Sequence, residues 1–154
     1  MMELAASLTQ FIIAASATIC FGILFGVPRR HFLACGITGA VGWLCYLFSM
    51  AAGASPAVAT FLATLPLTLL ARVFAVHNKA PVTLFLLCGI FPLVPGAGIY
   101  YTAYYFLQDD RLQFAAKGVE TMKIALGMAL GIALVSSLPP FGRHGAPKKL
   151  AKKK

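Results

Sequence analysis

Cys88 to Tyr105 reads C-G-I-F-P-L-V-P-G-A-G-I-Y-Y-T-A-Y-Y. The stretch lies inside an apolar run from Val82 to Leu107, longer than the roughly 20 residues a helix needs to cross a bilayer. Pro92, Pro95, Gly96 and Gly98 fall near its middle. Pro95 has no amide hydrogen and crowds the carbonyl four residues earlier, and the glycines lower the cost of leaving helical geometry. The pattern predicts a span broken at Pro92-Pro95-Gly96. Backbone groups freed at membrane depth need partners, so such breaks occur where they are buried in protein or line a polar cavity, and in transporters they often carry the substrate site. The alternative reading is a proline kink that only shapes packing.

Working outward, the 154 residues are 60% hydrophobic and 11% charged, too apolar and too poor in ions for a soluble domain. Windows of about 20 apolar residues predict an all-α, polytopic membrane protein with spans over 4–25, 32–52, 57–76, 82–107 and 119–138. These make a single transmembrane domain over 1–140, followed by a basic tail over 141–154. Glu3 and the lack of a basic flank argue against reading the first span as a cleaved signal. The net charge of +9 would suggest nucleic acid in a soluble protein, but here the cations sit in connections and the tail, so they report orientation and no nucleic-acid partner is implied.

Arg29, Arg30, Arg72, Lys79 and six tail cations fall on one side, ten of the 13, while Arg111, Lys117, Lys123 and all four acids fall on the other. The positive-inside bias then predicts an outside N-terminus and a cytoplasmic C-terminus. The tail reads as an orientation signal in contact with anionic lipid.

Several residues could carry chemistry or packing. Thr60, Thr64 and Thr68 run along one face of span three toward Arg72, either a polar lane ending in a cation that attracts a carboxylate, or threonines bonded to their own helix with Arg72 snorkelling to headgroups. Tyr100 and Tyr101, with Tyr104 and Tyr105, either form an interface belt or face the break and bond a ligand. Ala14, Thr18, Gly22 and Gly26 at intervals of four, and Gly127 with Gly131, read as close-approach ridges for helix packing. Trp43 with Tyr46 could line a cavity, though packing is the plainer use. The cysteines 20, 35, 45 and 88 form no C-x-x-C pair and read as small packing residues. The three histidines are expected at the basic surface. No catalytic constellation, metal-binding cluster or phosphate loop is visible, so no enzyme activity, cofactor or metal is expected.

Three segments, F-G-V-P-R-R at residues 25–30, G-I-F-P-L-V-P-G-A-G-I-Y at 89–100 and the closing apolar span from Glu120 to Pro139, resemble the threonine/serine exporter family, specifically its small YjjB-like component, which also forms the C-terminal half of single-chain exporters. The likeness covers nearly the whole chain, and the P-x-x-P-G block before a tyrosine is its most specific part. The resemblance implies an inner-membrane (plasma-membrane) exporter subunit for small carboxylate-bearing metabolites, threonine and serine in the single-chain form and dicarboxylates of the succinate kind in the split form. It implies a larger membrane component with a soluble N-terminal region as partner, and that component's motifs transfer to no residue here. With the broken span as substrate site, the candidates are Pro92, Pro95, Gly96, Gly98, Tyr100, Tyr101, Thr64, Thr68 and Arg72. Homo-oligomerisation stays open. The rival reading is a membrane scaffold or assembly subunit that transports nothing.

Overall fold

A computed structural model describes residues 2–139, with side chains from Ser7 onward, so the basic tail expected over 141–154 lies outside the described residues. Every regular element among them is helical: α1 Met2–Leu24, α2 Phe32–Ala51, α3 Pro56–Asn78, α4 Val82–Ile90, α5 Gly96–Leu107 and α6 Arg111–Ser136, with 3-10 turns at Arg29–His31 and Phe91–Leu93. Four helices are long and apolar enough to cross a membrane, and Val82–Leu93 and Gly96–Leu107, joined across a 57° bend, are together long and apolar enough for a fifth.

Residues 82–93 and α5 each rise about 18 Å at 1.5 Å per residue. With the first part along the membrane normal, the bend leaves α5 an advance of about 10 Å, and the sum of about 28 Å matches a hydrocarbon core of about 30 Å. The broken pair is therefore long enough to be one span.

α2 packs on both α1 and α3, α3 packs on α6, and α4 rests on α2 and α3, while α5 leans chiefly on α6. Small residues allow these approaches. A Cβ on Gly39 of α2 would collide with Thr18 of α1, and one on Gly127 of α6 would lie 2.5 Å from the Ala57 carbonyl of α3. In lipid there is no hydrophobic drive between helices, so such contact is what holds the bundle together. Trp43 is also used in packing: its indole donates to Gln10 Oε1 at 3.1 Å and its ring stacks on Tyr46.

Two expectations change, and one residue is more deeply packed than its position suggests. Gly26 lies beyond the end of α1 at φ +68, with nothing within 4 Å of a would-be Cβ, so it makes the turn and does not extend the ridge of Gly22. The interval of four continued past the point where the chain leaves helical geometry. The last helix starts at Arg111, eight residues before the predicted span, because Asp110 Oδ1 accepts from the Gln113 amide at 3.1 Å and caps it; hydropathy marks membrane burial and not the helix itself. His31 stays in the basic turn with Arg29 and Arg30, where it is 2% exposed and packs edge-on against Phe85 of α4, with ring centroids 5.5 Å apart.

Candidate functional site: the broken fourth span

The break is built by the two prolines in different ways. Pro92 sits inside the 3-10 turn, where a missing amide costs little. Val94 is forced out of helical geometry by the proline that follows it and is extended at φ −62, ψ 128. Pro95, at φ −76 and ψ 57, is the centre of an inverse γ-turn closed by the Gly96 amide on the Val94 carbonyl at 2.7 Å. From there α5 sets off in its new direction.

The two halves of the break differ in their surroundings. Phe91 stacks on Phe21 of α1 at 4.2 Å, and Leu93 is buried with Ala63, Leu67 and Met128. That half is core. Beyond it, Gly96 has nothing within 4 Å of a would-be Cβ, and none of the residues of α5 is buried. A cleft of about 890 Å³ opens between α5 and α6, with Val94, Pro95 and Met128 at its head and Ile99, Phe106 and Met122 along its walls. Its volume is in the range of small-molecule sites, about 300–1,000 Å³.

The cleft walls offer little hydrogen bonding. The two threonines in the lining turn back on their own helices, Thr102 Oγ1 donating to the Gly98 carbonyl and Thr121 Oγ1 to the Lys117 carbonyl, both at 2.7 Å. Backbone donors are found at the start of α5, next to the lining residues Val94 and Pro95. The first amides of a helix have no carbonyl in their own helix; no side chain caps them here, the Gly96 amide is taken by the γ-turn, and the helix dipole makes this end partly positive. A helix start of this kind suits an anion, and the cleft walls suit apolar matter. Outside the lining, Lys117 Nζ donates to Glu120 Oε2 at 2.9 Å.

The structure divides the predicted site residues into groups. Pro95 stands at the head of the cleft, Gly96 follows it outside the lining with open space around a would-be Cβ, and Gly98 is pressed against Thr121 of α6. Pro92 belongs to the packed half. Tyr100 and Tyr101 are exposed and stack with Tyr104 and Tyr105 respectively, each at 6.4 Å, outside the cleft lining. Thr64 and Thr68 are buried along α3. Thr64 donates to the Phe61 carbonyl at 2.8 Å and meets Gly131 of α6. The Thr68 hydroxyl is buried with no hydrogen-bond partner.

Arg72 is tied to the backbone at the end of α6. Its guanidinium donates to the carbonyls of Val135, of Leu138 at 2.7 Å and of Pro139 at 3.0 Å, so it closes the end of α6. The threonine lane and Arg72 are thus an α3–α6 seam, separate from the cleft. Sequence reasoning missed the α6 wall, including Phe114, Gly118 and Met122; the small residues Ala115, Gly118 and Ala125 at helical spacing were the available signal.

Against known proteins, the family described as "Threonine/Serine exporter, ThrE" matches residues 10–138. A probable threonine/serine exporter of Mycobacterium tuberculosis (strain ATCC 25618 / H37Rv) is 26% identical over 138 residues, which cover 86% of this chain and 25% of that protein. The chain therefore spans about a quarter of the length of this relative. No solved structure matches.

Proposed function

The chain belongs to the threonine/serine exporter family, and from that premise we propose that it is the membrane subunit of an exporter that moves small carboxylate-bearing metabolites, threonine or serine first among them, out of the cell. It works with a larger component of the same family, and it lies in the inner (plasma) membrane with its N-terminus outside and its C-terminus in the cytoplasm. The observation that supports this reading is the break itself: Val94 and Pro95, partway along a span, line the head of an open cleft, and α5 starts directly after them with no side-chain cap. An uncapped helix start beside such a break can bind a carboxylate without any charged side chain in the bilayer. The amino and hydroxyl groups of threonine or serine then face the surface the partner completes.

The test is efflux from liposomes holding this protein with and without the larger component, preloaded with labelled threonine, serine or succinate. The expected result is efflux of threonine or serine by the pair. Efflux of succinate alone would reassign the substrate to dicarboxylates, and an assembled pair that moves none of the three would favour the scaffold reading.

A further inference from the structure

The basic turns after α1 and after α3 come together at one end of the bundle. Val27 from the first and Ala80 from the second belong to one packed cluster with Phe85 and Cys88 of α4. Arg29 and Arg30 follow Val27 by two and three residues and Lys79 precedes Ala80, so each cation's Cα lies within about 11 Å of a residue of that cluster at 3.8 Å per residue. All three side chains are exposed, and neither Arg29 nor Lys79 is ion-paired among the described residues. Arg30 is placed more firmly. Its Nε donates to His31 Nε2 at 2.9 Å, and that buried ring stands edge-on against Phe85 of α4. The two terminal nitrogens of the guanidinium are left for another acceptor. None of the four acids, Glu3, Asp109, Asp110 and Glu120, belongs to either turn.

Beside these cations a separate groove of about 290 Å³ lies between the end of α1 and the start of α4, with Phe25, Val27, Pro81, Thr83, Leu84 and Leu87 in its lining. Its side is open, since no atom stands within 4 Å of a would-be Cβ on Gly26 and Phe25 and Leu87 are about half exposed. From Pro81 to Cys88 the α4 wall runs about 10 Å at 1.5 Å per residue, against about 15 Å for half of a 30 Å hydrocarbon core. The groove is apolar along its depth, and its Pro81 end adjoins the Lys79 turn. A soluble anion would leave the apolar walls unused, and a purely apolar occupant would leave the cations without an acceptor. Basic pockets between membrane helices characteristically take lipid head groups.

We infer that this groove and the two basic turns form a binding site for an anionic phospholipid of the phosphatidylglycerol kind, with one acyl chain along α4 and the phosphate among Arg29, Arg30 and Lys79. The planar fork of an arginine matches two phosphate oxygens, and Lys79 adds a point charge. Charge complementarity selects the head group: a choline head would set its own cation among these three, whereas a glycerol head adds none. The bound lipid bridges the end of α1 and the first half of the broken span and touches no part of the cleft between α5 and α6. It is independent of which metabolite, if any, the cleft carries.

The experiment places the full chain in phosphatidylcholine nanodiscs doped with a phosphatidylglycerol that carries a photoactivatable group on its acyl chain, and maps the crosslinks by mass spectrometry. Crosslinks are expected over residues 25–27 and 81–88, well above those given by a phosphatidylcholine with the same chain. Arg30→Gln, and separately Arg29→Gln with Lys79→Gln, are expected to weaken this labelling about fivefold for each cation removed. Lys148→Gln with Lys149→Gln, in the tail, is expected to leave it unchanged. Equal labelling by the two lipids would reduce the groove to ordinary bilayer contact and overturn the site. Loss in the tail variant as large as in the turn variants would overturn it in favour of diffuse attraction. Displacement of the label by soluble glycerol phosphate would overturn it in favour of a soluble anion.

Discussion

Arg72 belongs to α3 by sequence and to α6 by bonding. An α-helix leaves its last carbonyls without amides, and a forked cation is well suited to several of them at once. Hydrogen bonds from a charged donor contribute about 1.5–3 kcal/mol each at most, so Arg72→Gln is expected to cost about 2 kcal/mol, read as a lower unfolding temperature in detergent, with Arg72→Lys recovering only part because an ammonium is a point charge. Unchanged melting in Arg72→Gln would return Arg72 to the snorkelling role. Glycines that look alike in sequence differ in the same way. A Cβ at Gly131 would strike Thr64 and lie 2.9 Å from the Phe61 carbonyl, so Gly131→Ala is expected to destabilise by about 1–3 kcal/mol through overpacking. Gly96→Ala meets no atom and no positive φ and is expected to leave the melting temperature unchanged. Spacing could not separate these positions, because it says nothing of which neighbour faces each one.

At the scale of the element, the break was legible because proline and glycine act locally. Val94 is extended because Pro95 follows it, and no distant contact is needed to explain that. Replacing Pro95 and Gly96 together by alanine removes the γ-turn and restores helical propensity. The double variant is expected to insert and assemble normally but to lose efflux; loss of insertion together with efflux would make the break a packing device. The start of α6 was less legible. Lys117, Glu120 and Lys123 look like a connection in a hydropathy window, yet the Asp110 cap and the ion pair of Lys117 with Glu120 at 2.9 Å keep the segment helical. That early start supplies the wall of the cleft.

For the whole molecule, charge distribution and span count make the orientation testable. In a background without native cysteines, an impermeant thiol reagent is expected to reach a cysteine placed at Asp110 in intact cells and one placed at Lys149 only after permeabilisation; labelling of both from one side would remove the odd number of crossings. Asp109 and Asp110 lie in an exposed turn, with Asp109 beside Arg111 at 3.8 Å, and no ionisable group lines the cleft. Asp109→Asn and Asp110→Asn, singly and together, are therefore expected to leave proton-gradient dependence of efflux intact in the assembled pair, whereas its complete loss with normal assembly would move the coupling site into this subunit. The membrane class, the helical spans, the broken fourth span and the family resemblance could all be read from sequence, since each follows from hydropathy, from backbone chemistry within a few residues, or from a contiguous motif. Only the tertiary structure decided that the threonine lane and Arg72 form a seam with α6, that His31 is buried, and that Tyr100 and Tyr101 are outside the cleft lining. Those facts depend on which helices touch and in what register, and helices that are apolar on nearly every face carry no stripe to announce it.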